Sequence, residues 1–370
     1  MNVVVAEKEI KGVNRTAIIQ QTAFWSEVKM KQGFECRAFD FKAASIDLFG
    51  DQGGNYFVMA DLLILLQQID DTHSVAYVPY GPEIEPIREN QGAFLEELSE
   101  ALRACLPSGC IVIRYDLAWE SHWAREADHF DQKGNWIGPP EKKYQELRLN
   151  FNTQNWNLRK ANTDILPSNT IFLNLKADKK TLLERMKPKT RYNINLSFRK
   201  GVTVRNTGLE NLDIWYKLYA ETARRNGIYL NDIHYFRTLL TARANDSSSP
   251  AEVELLLAEA EGAPLAAMFL VTAGNRTTYL YGASSSSNRN YMAPYALQWA
   301  AITGAREKGC TEYDFFGVAP RPDQSHPMYG LYKFKTGFGG DLFHRLGCWD
   351  YPLIEKSYNY FKTWELQKQG

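Results

Sequence analysis

TTYLYGASSSSNRNYMAPYALQWAAITGAREKGCTEYDFF, residues 277–316, contains the signals for a strand, a loop, a helix and a second strand in that order. Its aromatic and β-branched opening predicts a strand that enters a serine-rich loop. Residues 291–308 have the length and apolar spacing of a helix, which Gly309 ends. TEYDFF at 311–316 then predicts another strand, so the segment indicates a mixed layer of strands and helices.

The same order of elements occurs once earlier in the chain. SVAYVPYGPEIE at 74–85 predicts a strand and loop, 89–105 a helix, and IVIRYD at 111–116 a second strand. Both copies leave the helix through Gly-Cys, and both second strands contain Tyr-Asp. This recurrence predicts an internal duplication, in which two tandem copies form a cleft between them.

Material typical of antiparallel strands precedes each copy. Residues 252–283 alternate three strands with turns at Gly262 and Gly274, and residues 34–64 offer a poorer version of the pattern. The fold class we expect is therefore α+β, with mixed, mostly antiparallel sheets flanked by helices.

Further helices are predicted between and around the two copies. A short amphipathic one lies at 24–34, whose default interpretation is core packing. The region 119–165 is rich in Trp, Asn and charge and is interpreted as a structured insertion or a connection between domains. The remaining predicted helices are 178–200, 208–227 and 231–244.

Composition places the chain among ordinary globular proteins, with two domains expected from its 370 residues. Its 43 basic and 43 acidic residues cancel, so any contact with a polyanion must be local. The N-terminus lacks the pattern of a signal peptide, and no apolar run is long enough for a membrane span. The five cysteines form no CxxC pair and indicate a reducing compartment, so a cytoplasmic location is expected.

Residues 311–340 carry the strongest chemical signal. A buried-looking strand leads through Gly317 into a proline-containing loop, after which Lys333 and Lys335 stand among aromatic residues and glycines. Ammonium groups, close backbone approach at glycine and aromatic walls together suit an anion or a developing negative charge.

Two other basic segments have competing interpretations. The run that contains Lys187, Lys189, Arg191, Arg199 and Lys200 suits a solvated helix face, or else a surface that binds phosphates. Arg225 and Tyr229 follow a predicted helix. An arginine there complements the helix dipole or binds a phosphate in bidentate fashion.

Several common catalytic patterns are missing from the sequence. His122, Asp128 and His129 match no metal-ligand spacing, and there is no GxSxG or P-loop motif. Residues 286–294 lack the glycine-rich pyrophosphate cradle expected for a coenzyme A thioester. No metal and no cofactor are therefore expected.

Four segments together resemble the FemABX family of peptidoglycan-peptide aminoacyltransferases. They are FWSEVKMKQGF (24–34), LPSNTIFLNLKADKKTLLERMKPKTRYNINLSFRKGV (166–202), YLYGASSSSNRNYMAPYALQWAAITGAREKGCTEYDFFG (279–317) and GLYKFKTGFGGDLFHRLGCWDYPL (330–353). The resemblance implies two tandem domains similar to GCN5-related acetyltransferases. The first would span 1–165, completed by 341–370, and the second 166–340.

The resemblance also implies an activity and its partners. An amino acid would pass from aminoacyl-tRNA to the stem-peptide amine of a peptidoglycan precursor, nucleotide-linked or lipid-linked, with a peripheral contact to the inner face of the membrane. Because the aminoacyl ester is already activated, neither a metal nor a covalent intermediate is required.

Site residues follow from the resemblance position by position. Lys335 falls on the family's key lysine, accompanied by Phe334, and would stabilise the oxyanion of the tetrahedral intermediate. Lys333, expected on the same extended segment but facing away, is the weaker candidate. The substrate-binding positions implied are Lys29, Arg225, Tyr229, Tyr281 and, more weakly, Tyr279.

Two alternatives stay open at this point. One is an acyltransferase of the same superfamily that uses another acyl donor on an amine or a polysaccharide. The other is a module that binds the precursor or RNA without catalysis. No general base is identifiable among six scattered histidines.

Overall fold

The computed structural model describes residues 1–369. Its strands are β1 (Val4–Lys8), β2 (Glu35–Ala44), β3 (Phe57–Gln68), β4 (Ser74–Pro79), β5 (Cys110–Glu120), β6 (Arg159–Lys160), β7 (Asn169–Asn174), β8 (Thr203–Thr207), β9 (Ala251–Ala260), β10 (Ala263–Ala273), β11 (Arg276–Ser284), β12 (Glu312–Asp314) and β13 (Asp341–Pro352). Its α-helices are α1 (Ala23–Met30), α2 (Ser45–Phe49), α3 (Gln91–Arg103), α4 (Lys142–Leu149), α5 (Lys179–Arg185), α6 (Pro188–Arg199), α7 (Leu212–Asn226), α8 (Ile233–Thr241), α9 (Ala293–Glu307), α10 (Tyr329–Lys335) and α11 (Glu355–Gln369).

The strands form one continuous sheet in the order β1-β2-β3-β4-β5-β13-β7-β12-β11-β10-β9-β8, with β6 paired to β13. Among the described strands, two pairs are parallel, namely β4 with β5 and β11 with β12. In each case the intervening helix, α3 or α9, provides the crossover that a parallel pair requires. The expectation of a mixed, mostly antiparallel sheet flanked by helices is confirmed, and so is the repeated strand-helix-strand order.

Strand β13 lies at the middle of this sheet. Its first residues, Asp341–His344, pair with β7, and its later residues, from Arg345 to Pro352, pair with β5. Strand β13 therefore joins the strands of the first half to those of the second. The division into domains at 165/166 and 340/341 stays a prediction.

Helices cover both faces of the second half of the sheet, and β10 shows the consequence in its sequence. Met268 and Leu270 pack into the cluster that includes α9, whereas Phe269 and Val271 pack into the cluster that includes α7 and α8. Because both faces are covered, the strand is apolar throughout instead of alternating. The meander predicted for 252–283 is confirmed as β9, β10 and β11.

Helix α1 belongs by sequence to the first half but packs on the second. Phe24, Trp25 and Val28 join the cluster built around Trp215 and Phe269. The interpretation of the apolar face of 24–34 as core packing is therefore confirmed. The same packing directs the C-terminal end of α1 toward the cleft described below.

Helix α11 is attached to the first half by a buried ion pair. Arg114 of β5 donates from Nε to Asp350 Oδ1 at 2.6 Å and from Nη1 to Glu365 Oε1 at 2.5 Å. Arg114 is only 4% exposed and Asp350 is fully buried. Each charge depends on the other because an unpaired buried charge is strongly destabilising.

Some predicted elements differ from the structure. The single helix expected over 178–200 is two helices, α5 and α6, because Pro188 cannot continue a helix and instead starts the second one. In 34–64 the tight turn is replaced by α2 between β2 and β3. The region 119–165 contains α4 and β6. No helix in the described chain is both long and apolar enough to cross a membrane.

Candidate functional site

A cleft of about 340 Å³ lies where α1 meets β11 and the segment between α7 and α8. Three residues singled out from the sequence line it together: Lys29, Tyr229 and Tyr281. They are distant in the chain, so only the fold brings them to one place. Leu166, at the start of the second half, and Phe316, just after β12, also line the cleft.

Lys29 reaches the cleft from the last turn of α1. Thr22 caps this helix by accepting a hydrogen bond from the backbone N–H of Trp25 at 3.1 Å. The ammonium lies 5.1 Å from the ring centre of Trp25 and 5.4 Å from that of Phe34, and it donates to Gln32 at 3.0 Å.

The surroundings of Lys29 suit an anionic ligand. Burial lowers its pKa from the ordinary value, because desolvation disfavours the charged form. Among the ion pairs of the described residues, none involves this lysine. A partly buried cation held by aromatic rings, without a carboxylate partner, gains most from an arriving phosphate or carboxylate.

Tyr281 provides a fixed hydroxyl on the β11 side of the cleft. It donates a hydrogen bond to the hydroxyl of Tyr235 at 3.0 Å. Burial raises the pKa of Tyr281 to about 12, so it stays protonated at neutral pH. Tyr229, by contrast, is 82% exposed at the rim. Its carbonyl accepts from the hydroxyl of Tyr219 at 3.3 Å, which ties the rim to α7.

Strands β11 and β12 separate just beside this cleft. They pair only from Arg276 to Thr278 with Glu312 to Asp314, whereas the chain stays bonded to β7 through Phe315 N–H and the carbonyl of Ile171. Lys335 contacts the chain just beyond the point where the pairing of β11 with β12 ends.

Lys335 holds the backbone that follows β12. Its Nζ donates to the carbonyl oxygens of Phe315 at 2.7 Å, Phe316 at 3.2 Å and Gly317 at 2.7 Å. The ammonium also lies 5.1 Å from the ring centre of Tyr279. Lys335 and Tyr279, both predicted site residues, therefore lie beside the backbone at Phe316, a residue that lines the cleft.

The charge state of Lys335 is set by two opposing effects. The side chain is only 4% exposed, and burial lowers its pKa to about 7. The negative charge of Asp314 acts in the opposite direction and raises the pKa. The three carbonyl acceptors also favour the protonated form, since a lysine ammonium has three protons to donate. An oxyanion at this position would therefore have to take the place of one carbonyl.

The segment around Lys335 is a helix, so the expectation of an extended chain is wrong. Tyr and Phe favour strands in general, but here Phe334 and Phe338 point to one side and both contact Tyr295 of α9. Phe334 thus packs into the core instead of the cleft. Lys333 is exposed and faces away from Lys335, because residues two apart on a helix are about 200° apart.

The glycines after Lys335 allow neighbouring segments of the chain to pack closely. A Cβ on Gly337 would lie 2.2 Å from Oγ1 of Thr190 in α6, and one on Gly339 would lie 2.6 Å from the carbonyl oxygen of Arg185. The interpretation that these glycines let a ligand approach the backbone is therefore wrong. They let α10 and β13 lie close to α5 and α6.

Arg225 lies outside the lining of the cleft. Its guanidinium donates to the carbonyl of Ser284 and to the hydroxyl of Ser286, both at 3.0 Å. These bonds connect the end of α7 to the loop after β11. A phosphate at Arg225 would have to share or replace them.

The basic residues in and next to α6 lie in two groups, one at each end of the helix. Lys187 and Lys189 lie at its start, where Lys187 contacts Thr336 at 3.2 Å next to Lys335. Arg191 donates hydrogen bonds to carbonyl groups at the end of α5, including that of Glu184 at 3.2 Å. Arg199 and Lys200 lie at the other end, roughly 18 Å away along the axis, where each approaches a tyrosine ring.

The cleft also contains residues that the sequence interpretation missed. Asn231, Asp232 and Tyr235 line it from the segment that begins α8, opposite Trp25 and Gln32 of the α1 side. The available signal was an Asn-Asp pair shortly after Tyr229, which is typical of a helix cap. Nothing in its spacing indicates that the cap faces the same cleft as Lys29.

Comparison with protein families gives one match that covers nearly the whole chain. The model of the FemAB family matches residues 13–250 and 242–365.

Curated relatives are similar over part of their length. The lipid II:glycine glycyltransferase of Staphylococcus saprophyticus is 26% identical over 246 residues, which is 51% of this chain and 59% of that protein. The Staphylococcus aureus protein of the same name is 25% identical over 256 residues, 52% of this chain and 61% of that protein. The alignments thus span about three fifths of these relatives.

Solved structures are similar in fold. A crystal structure of FemX gives a TM-score of 0.70 at 20% identity and covers 95% of this chain and 96% of that one. A tandem GNAT protein from the clavulanic acid biosynthesis pathway gives 0.51 at 12% identity, covering 95% of this chain and 98% of that one. The expectation of a tandem GCN5-related fold is confirmed.

Proposed function

Because this chain belongs to the FemAB family, we propose that it is an aminoacyltransferase that acts on a peptidoglycan precursor. The donor is an aminoacyl-tRNA and the acceptor is the side-chain amine of the third stem-peptide residue, or of a growing bridge. The names of the relatives, which specify transfer of glycine to lipid II, support this acceptor class.

The observation that carries the proposal is the common cleft of Lys29, Tyr229 and Tyr281. It offers a cation that has no ion-pair partner among the described residues, aromatic surface for the ligand, and the fixed hydroxyl of Tyr281. A nucleotide-linked or lipid-linked muropeptide combines these chemical groups. A lipid-linked acceptor requires peripheral contact with the inner face of the membrane.

The reaction proceeds by direct acyl transfer. The neutral amine of the acceptor attacks the ester carbonyl, a C–N bond forms, and the C–O bond to the ribose breaks, so the tRNA leaves with its hydroxyl restored. A lysine-type amine has an ordinary pKa near 10.4 and must first lose a proton to water. After the attack a second proton passes from the nitrogen to the departing ribose oxygen. Lys335 stabilises the negative oxygen of the intermediate by exchanging one of its carbonyl partners, an effect on the order of 3–4 kcal/mol for one donor.

Lys187 and Lys189 are the best placed of the basic residues to contact the phosphates of the donor, because they lie beside the end of α10. Arg199 and Lys200 would contact only an RNA that follows α6 along its length. Each phosphate contact of this kind should weaken as salt is raised.

The test offers the purified protein a panel of charged tRNAs with nucleotide-linked and lipid-linked precursors, and reads products by mass spectrometry. The expected result is a mass gain of one or more amino acid residues on the precursor, absent with uncharged tRNA. A gain from acyl-coenzyme A, with none from any aminoacyl-tRNA, would overturn the proposal in favour of a different acyl donor.

A further inference from the structure

The cleft has one charge of each sign among its described lining residues. Lys29 is the cation, and Asp232 is the carboxylate. A cleft lined in this way suits a ligand with an anionic group at one end and an ammonium at the other. Lys29 can bind the anionic end of such a ligand. Asp232 is then the charged residue of the lining that can bind the ammonium end.

Asp232 is held in place by the start of α8. Its Oδ1 accepts from the backbone N–H of His234 at 2.7 Å, the usual bond of an N-cap. Within the described chain this carboxylate is in no ion pair, and Oδ2 remains available to accept from a ligand. The side chain is exposed at the cleft and therefore accessible.

The residues beside Asp232 fix its position relative to the rest of the cleft. Asn231 donates to the hydroxyl of Tyr219 at 3.0 Å, which ties the segment to α7. Tyr235 accepts from Tyr281 at 3.0 Å, which ties the start of α8 to β11. Asp232 thus has neighbours on both sides that restrict its movement.

Other carboxylates near the site are already committed. Glu221 accepts from the backbone N–H of Ser286 at 2.6 Å, and Asp314 is buried and accepts from the backbone N–H of Phe316 at 2.7 Å. Neither is among the residues that line the cleft.

We propose that Asp232 binds the side-chain ammonium of the acceptor residue and thereby selects precursors that carry a diamino acid in the stem peptide. This inference rests on the proposed function. An amine with an ordinary pKa near 10.4 arrives protonated at neutral pH, and a carboxylate binds it by a charge-assisted hydrogen bond. Asp232 is a specificity residue in this assignment and takes no part in the bond changes.

The experiment compares binding of matched precursors by isothermal titration calorimetry. One pair of muropeptides carries lysine or norleucine at the third position, and a second pair carries diaminopimelate or 2-aminopimelate. Each pair is prepared in a nucleotide-linked and in a lipid-linked form. Within the pair that binds, the wild type is expected to prefer the amine by about tenfold or more. Asp232→Asn should bind both members equally, with affinity for the amine-free member unchanged.

The substitution is chosen to leave the fold intact, because Asn is as good an N-cap as Asp. A matched control is Asp178→Asn, which changes the cap of α5 in the same way but lies outside the cleft lining. The control should retain the full preference for the amine. In turnover assays Asp232→Asn should raise KM for the amine precursor more than it lowers kcat.

Two outcomes contradict the assignment in different ways. If Asp232→Asn retains the preference of the wild type, Asp232 does not read the ammonium, while the proposed function stands. If the wild type binds no member of either pair, the proposed function fails and the assignment fails with it.

Discussion

The ammonium of Lys335 lies 2.7 Å from the carbonyl oxygen of Gly317, a residue 18 positions earlier in the chain. Together with the bonds to Phe315 and Phe316, this contact fixes the backbone at the point where β12 has ended. The lysine therefore determines where Phe316 stands in the wall of the cleft. A substitution of Lys335 would therefore change the shape of the cleft as well as any contribution of the ammonium to catalysis.

Replacing Lys335 by Met should reduce both activity and stability. We expect kcat to fall by about a hundredfold or more, with a smaller change in KM, if the ammonium acts in the transition state. Three carbonyls would lose their donor, one of them in a buried and two in partly buried hydrogen bonds, and a buried unsatisfied group costs about 1–3 kcal/mol. Steady-state kinetics and urea unfolding measure the two effects. Lys333→Met, on the exposed side of α10, is the control and should resemble the wild type in both.

Replacing Lys29 by Met should weaken binding of the precursor. We expect KM for the acceptor to rise about tenfold or more, equivalent to about 1.4 kcal/mol, because a desolvated cation is lost from the cleft. The control is Lys31→Met, which removes a lysine that pairs with Glu27 at 2.9 Å and does not line the cleft. Equal KM values for the two variants would contradict the assigned role of Lys29.

Acidification should destabilise the fold through His344. Burial lowers the pKa of this histidine from 6.5 to about 4, and its ring stacks on Trp136. Between these values the unfolded chain binds more protons than the folded one, so stability is lost as pH falls from about 6.5 to 4. The loss reaches at most about 1.4 kcal/mol per pH unit from this group.

Urea unfolding at pH 7, 6 and 5 measures this dependence. His344→Gln removes one of the titrating groups and should make the slope less steep, whereas His234→Gln, an exposed histidine of α8, should leave it unchanged. An unchanged slope in His344→Gln would show that other groups account for the acid sensitivity. His122, whose pKa burial lowers to about 3, would then be the next residue to test.

Gly337→Ala should destabilise the contact between α10 and α6. The new Cβ would lie 2.2 Å from Oγ1 of Thr190, an overlap that costs about 1–3 kcal/mol. The double variant Gly337→Ala/Thr190→Ala removes the overlapping oxygen and should recover most of the loss in thermal unfolding. If it does not, the close approach of these two residues is not the cause.

The periodic elements of this fold could be predicted from the sequence because their signals are local. The meander around Gly262 and Gly274 and the helix that Gly309 ends depend on residues within a few positions of each other. The helix at Lys335 could not be predicted in this way, since its aromatic residues favour strands and only the contact with Tyr295 fixes them on one helical face.

The residues of the site were likewise predictable only where the sequence carried a signal for them. Lys29, Tyr229 and Tyr281 were singled out by resemblance, and the fold places them in one cleft. Arg225 was also singled out, but its serine partners lie about 60 residues away and no local pattern indicates them. Asp232 was missed because the sequence specifies it as a helix cap and only the tertiary structure shows that it also lines the cleft.

The central position of β13 has a consequence for how the chain is made. This strand comes later in the chain than both of its partners, yet it pairs with β5 on one side and β7 on the other. Until it emerges, both of those strands have an unpaired edge, the kind of surface that promotes association between nascent chains. Synthesis of Asp341–Pro352 is thus the step that joins the two halves of the sheet, and a chain that stops before it would carry two unpaired strand edges.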